Sequence, residues 1–188
     1  MLCGIGAAVP ARAIEVRISA QALERTLRAQ LFNAPEGRYY LRGSSSGGCS
    51  VYAEDPRVSF RDDRIVVHVR ARARLGRSVR GACVGVSLST EADVSFVPEA
   101  QGESVGFRDA RVERLSESRE LNFLLEPFLS RKLPSEMKMN AAELIRKLLS
   151  QSPAVTGYTL SLDELKLHSM QVEQEFLVVD ADARVGIE

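Results

Sequence analysis

Few residues in this 188-residue chain could carry out chemistry, and they are scattered. The two histidines, His68 and His168, lie a hundred positions apart. A serine hydrolase presents its nucleophile on a Gly-x-Ser-x-Gly elbow, which is missing, and Ser44-Ser45-Ser46 sits in a Gly/Ser-rich linker with no base beside it. That linker, Gly43 to Gly48, also lacks the Lys-Ser/Thr ending of a phosphate-binding loop, so it reads as a flexible connection. Asp62-Asp63 and Asp180-x-Asp182 could hold a cation, although acidic pairs on turns and strand faces are most often only solvated. We therefore expect no catalytic residue, no metal and no cofactor.

Two other constellations carry more weight. Cys49 follows Gly48, Cys83 lies two positions from both Gly81 and Gly85, and the two form an even pair if Cys3 is lost with the N-terminus. A bridge between them would close a loop of about 34 residues and stabilise by roughly 3 to 4 kcal/mol through loss of chain entropy. The alternative is two free thiols in a reducing compartment. Neither cysteine has a ligand at zinc spacing. The second constellation is the row Arg70, Arg72 and Arg74, followed by Arg77 and Arg80. The side chains of Arg70, Arg72 and Arg74 project from one side of a strand, where they could meet lipid head-group phosphates, lipopolysaccharide or an acidic partner. The competing reading is a solvated face: a turn centred near Val79 sets His68 against about Glu91, Val66 against about Asp93, and the arginines against serines.

The elements that hold these residues follow from periodicity. From Arg64 to Leu75 the odd positions Ile65, Val67, Val69, Ala71, Ala73 and Leu75 are apolar, while the even ones carry the arginines. After a turn expected at Gly76 to Gly81, Val84, Val86, Leu88, Val94 and Phe96 resume the alternation. This is a long antiparallel hairpin with one dry and one wet face. Val51 to Phe60, with Pro56 at an edge or bulge, and Ser104 to Leu115, after a turn at Pro98 to Gly102, extend it to a four-strand meander. Leu121, Leu124, Leu125, Phe128, Leu129 and Leu133 recur at helical spacing behind a Ser118 cap, with Pro127 expected to bend or loosen the run rather than abolish it. Asn140-Ala-Ala-Glu143 caps a second piece carrying Leu144, Ile145, Leu148 and Leu149. Together the two pieces offer an apolar rod to cover the sheet. Thr159 to Leu167 and Leu177 to Ile187 return to strand.

At the other end, residues 1–13 form a small apolar segment ending in Ala11-Arg12-Ala13, which fits a signal-peptidase site, though a basic leader is missing. The alternative is a floppy terminus. Cys3 has no lipobox before it. Residues 14–188 read as a single domain, opening with a short strand and a Ser19-capped helix striped by Leu23, Leu27 and Leu31. Lysine plus arginine equals aspartate plus glutamate at 25 each and the pI is near 6.8, which gives no case for nucleic acid.

This order of elements, with Ile18-Ser19-Ala20-Gln21-Ala22-Leu23 opening the first helix and Gly81-Ala82-Cys83-Val84-Gly85 in the hairpin, resembles the tubular lipid-binding superfamily of bactericidal/permeability-increasing protein. It is most similar to the small bacterial envelope lipoproteins that share one half of that architecture. The resemblance implies an α+β fold: a long, curved antiparallel meander wrapped round a long apolar helix, with a shorter N-terminal helix and a groove for acyl chains. Residues expected to line the groove are Val67, Val69, Ala71, Ala73, Val86, Leu88, Leu125, Phe128, Leu129, Leu148, Val179 and Ala181, with Arg70, Arg72 and Arg74 contacting a head group. The function so implied is binding of a lipid or other hydrophobic molecule, in the periplasm or outside the cell, with peripheral membrane contact. The alternative is an envelope interaction protein whose helix fills the groove and whose exposed strand edge pairs with a partner. Oligomeric state is not legible from the residues.

Overall fold

Alternating side chains form the centre of the molecule. The computed structural model describes residues 12–115 and 117–187. The signal remnant expected over residues 1–13 lies outside them, apart from Arg12 and Ala13, which begin the first strand. Strand β1 (Arg12–Ser19) leads into helix α1 (Ala20–Gln30), whose Ser19 cap accepts a hydrogen bond from the Ala22 N–H. Then come β2 (Tyr39–Arg42), β3 (Ser50–Arg61), β4 (Arg64–Val79), β5 (Ala82–Gln101) and β6 (Ser104–Arg114). Helices α2 (Arg119–Pro127) and α3 (Leu133–Met137) flank a π-type turn at Phe128–Lys132. They are followed by β7 (Met139–Asn140), α4 (Ala141–Leu149), α5 (Ser152–Thr156), β8 (Leu160–Glu173) and β9 (Phe176–Ile187).

The strands make two antiparallel sheets, a curled half-barrel in the order β2-β3-β4-β5-β6-β7 and a smaller sheet in the order β1-β9-β8. The α+β meander expected from the periodicity is therefore present. Its strands are longer than expected at several ends. β4 and β5 run past Gly76 to a two-residue turn at Arg80 and Gly81, whose φ values of 50° and 84° are those of a type I′ hairpin. Gly76 and Gly85 stand directly opposite each other, so they are strand residues rather than turn residues. A Cβ on Gly76 would lie 2.1 Å from the Val84 carbonyl oxygen, and one on Gly85 2.1 Å from that of Leu75. Glycine is needed there for close backbone approach, not for a bend. Pro98 likewise sits inside β5, opposite Phe107, and the turn falls at Gly102.

Pro56 occupies the bulge expected of it, where the β3–β4 register shifts between Glu54 and Arg57. Helix α1 is fastened to that bulge: Glu24 accepts the Val58 N–H at 3.3 Å, and Arg28 donates to the Pro56 carbonyl at 3.0 Å. The rod continues past Pro127, loosened into the π-type turn, as expected. With prolines at 127 and 134 unable to donate, the Leu133 N–H bonds five residues back to the Phe128 carbonyl. Leu121, Leu125, Leu129 and Leu133, one face of this rod, have no exposed surface. They join the inward side chains of β3, β4, β5, β8 and β9 in one core. The second helical piece departs from expectation. In α4 only Ala142 is buried, Leu144 and Leu148 remain exposed, and the helix sits at the rim, donating from Arg146 to the Leu162 carbonyl.

Candidate functional site

The parity of β4 sends Ile65, Val67, Val69, Ala71 and Ala73 to the concave face, and the register sets Phe96, Val94, Ala92, Thr90 and Leu88 beside them. Over most of this face the rod leaves no room. Val67, Val69 and Ala71 are 0% exposed and Ala73 is 1% exposed, against Leu125 and Leu129 at 0%. Phe128, Val179 and Ala181 are also buried in that core. Side chains without accessible surface border no void the size of a water molecule. The groove expected along these residues is thus filled by the chain's own helix, because leucines at four-residue spacing interdigitate with small β-branched and alanine positions.

The other expected lining residues are not covered by the rod and do not lie together: Val86 and Leu88 are on the tip half of β5, whereas α4 begins beside the β5–β6 turn at the other end of that strand. Leu88 is half-buried, Val86 is 58% exposed on β5, and Leu148 is 61% exposed on α4. On the concave face of the hairpin, Val86 stands opposite Leu75 and Val84 opposite Arg77, beyond the reach of the buried leucines. Here the molecule opens into a groove of about 530 Å³. Its apolar walls are Leu75, Phe123 and Leu124 over the fully buried Val51, with Arg42, Arg74, Ser50 and Cys49 on its polar side. Phe123 is 79% exposed on α2. An aromatic residue off the apolar stripe of its helix was a legible sign of this mouth; Arg42, on a four-residue strand before a linker, gave none. A much smaller, apolar space of about 50 Å³ lies among Ile18, Leu23, Leu27, Phe107, Met137 and Leu177, where α1 and the two sheets meet. It has room for about one or two waters, not for an acyl chain.

The arginine row divides in two. Arg70 pairs with Asp55 at 3.1 Å and Arg72 with Glu54 at 2.5 Å, both on neighbouring β3. Glu54 also holds Arg38 at 3.3 Å, and that guanidinium lies 4.3 Å from the Tyr52 ring centroid. These two arginines are neutralised from within. Among the described residues no ion pair is made by Arg74, or by Arg42, Arg77 and Arg80, and all four are exposed. The register is displaced from one centred near Val79, so Arg70 opposes Glu91 and His68 opposes Asp93, while Arg72 and Arg74 do oppose serines.

Cys49 and Cys83 are joined in a disulfide, with Cα atoms 4.8 Å apart. It fastens the start of β3, and with it the linker before it, to the hairpin tip. Gly48 there packs so close that a Cβ would lie 2.5 Å from the Gly81 carbonyl oxygen. The histidines are remote from this mouth. His68 Nδ1 is 2.5 Å from Asp93, and His168 Nε2 is 2.7 Å from Asp182. Asp180 accepts from Ser169, so this acidic pair is engaged in cross-strand bonds. Among the described residues no cluster of His, Cys, Asp and Glu has a metal-binding arrangement, and no helix is long and apolar enough to cross a membrane.

A filled half-barrel with an apolar, arginine-edged opening at one end is the kind of molecule this chain forms. No family model and no curated protein matches it. Among solved structures it is similar to a crystal structure of lipopolysaccharide binding protein, at 13% identity and a TM-score of 0.33. The alignment covers 95% of this chain and 51% of the other, so the chain spans about half of that protein's length.

Proposed function

We propose that the chain binds an amphiphile, without catalysis, at the distal mouth rather than in the interior. The observation that carries this reading is the pairing of incompletely covered apolar walls, the half-buried Leu75 and Leu124 and the exposed Phe123, with two exposed arginines, Arg42 and Arg74, that make no ion pair among the described residues. An acyl chain against the walls gains about 0.8 kcal/mol per buried methylene, and a guanidinium at the rim suits a phosphate or carboxylate head. The disulfide supports an exported setting, periplasmic or extracellular, because such bonds persist under oxidising conditions. Peripheral contact with an anionic bilayer belongs to the same reading.

The test is binding to anionic and zwitterionic vesicles, with organic extraction and native mass spectrometry of the purified protein. We expect preference for anionic vesicles at low salt, loss of that preference in Arg42→Ser/Arg74→Ser, and no change in Arg70→Ser, whose charge Asp55 already balances. No co-purifying amphiphile together with no vesicle binding would rule the reading out. That result would favour an interaction module with a sealed core, the alternative supported by the zero exposure of Val67, Val69, Leu125 and Leu129.

A further inference from the structure

Strand β1 is a margin of the three-stranded sheet, and among the described residues no backbone hydrogen bond reaches its outer side. The opposite margin is protected: the Leu167 N–H of β8 donates to the Gly102 carbonyl at 3.0 Å, and Arg146 covers the Leu162 carbonyl. On the half-barrel, β2 is four residues long, and β7 covers only Ser104 and Val105 of β6, whose remaining edge is broken by register shifts against β5 and by Asp109 at φ 53°. β1 spans eight residues and carries none of the usual edge protection: no proline, no lysine and no register shift against β9. Its core-side residues Ile14 and Val16 are 42% and 45% exposed. Its outward residues Glu15 and Arg17 are exposed and make no ion pair among the described residues, although Arg17 is steadied 4.8 Å from the Phe176 ring centroid.

The pattern is self-complementary in one register. Two copies related by a two-fold axis through Val16 would pair as antiparallel strands with Val16 opposite Val16 and Ile14 opposite Ile18. Glu15 of each copy would then face Arg17 of the other, twice over. Registers that keep both core faces on the same side must shift one strand by two residues. One such shift sets Glu15 against Glu15, the other Arg17 against Arg17. Charge therefore favours the centred register and opposes its neighbours.

We propose that β1 is a homodimer edge: two copies of this chain join β1 to β1 in a continuous six-stranded sheet, with the Glu15–Arg17 pairs setting the register. The interface is isologous and covers Ile14 and Val16 on both copies. Sedimentation equilibrium on the full chain tests it. Wild type is expected to dimerise reversibly with concentration. Glu15→Arg and Arg17→Glu should each weaken the dimer by about tenfold, because each replaces two attractive cross-strand pairs with two repulsive ones. The double variant E15R/R17E should recover wild-type association, and an equimolar mixture of the single variants should form a heterodimer. Both sites are exposed, so unchanged melting temperatures will separate lost association from lost folding. A wild type that stays monomeric at its highest soluble concentration would overturn the proposal. So would a dimer equally tight in both single variants.

Discussion

Arg64, Asp109, Glu113 and Ser95 show how charge is handled residue by residue. Ser95 is fully buried on β5 and accepts from Arg64 Nε at 2.8 Å, while Arg64 also pairs with Asp109 at 3.0 Å. Arg111 and then Arg64 hold the Asp109 carboxyl below its ordinary value of 3.8. A hydrogen bond from Ser95, aided by Arg61, holds Glu113 below 4.5 against the opposing effect of burial. Both pKa values are lowered in the folded state, so the stability they contribute is present above the unfolded values and lost as pH falls through the folded ones. Unfolding midpoints in urea should therefore drop below about pH 4.5, and Asp109→Asn/Glu113→Gln should flatten that drop. An unaltered acid limb in the double variant would mean that these carboxylates do not set it. His68 and the arginine row were recognisable from the sequence at this scale, but their partners were not. A shift of the hairpin turn by one or two positions changes every cross-strand pair, and only hydrogen-bonded register settles the turn.

Among elements, the β4–β5 hairpin and the α2–α3 rod give contrasting tests. Gly85→Ala should destabilise by about 1 to 3 kcal/mol, because its Cβ would collide with backbone that cannot move without parting the strands. Gly81, at φ 84° with open space around it, carries only the conformational penalty, so Gly81→Ala should cost about 1 kcal/mol. Equal costs at both sites would contradict the close approach. On the rod, Leu129→Ala should cost about 2 to 5 kcal/mol by opening a cavity in a closed core. On α4, Leu148→Ala should change stability by no more than about 0.5 kcal/mol, since that side chain is 61% exposed. Chemical denaturation of the four variants measures all of this. The two leucine stripes look alike in the sequence because helical spacing reports that a face is apolar, not how deeply it is covered.

For the whole molecule, the disulfide matters because it links segments 34 residues apart, the start of β3 and the hairpin tip, beside the mouth. Reduction, or Cys49→Ser/Cys83→Ser, should lower stability by roughly 3 to 4 kcal/mol if restriction of the unfolded chain accounts for it. Differential scanning calorimetry with and without reductant gives the loss. A loss near zero would show that the linker and hairpin tip are held by packing alone. The pairing and the α+β meander were anticipated from residue types and alternation. The separate β1-β9-β8 sheet was not, because strands far apart in the chain carry no local signal of which neighbour they join.

By itself the sequence determined the longer strands and helices and which side of each is apolar, since a period of two or 3.6 is written in neighbouring residues. It could not distinguish Val67 from Val86, two valines with the same alternation on paired strands. Tertiary structure decided that the rod covers one and stops short of the other. Burial is a property of what lies opposite in space, and the length of the rod relative to the sheet is fixed only when distant segments meet.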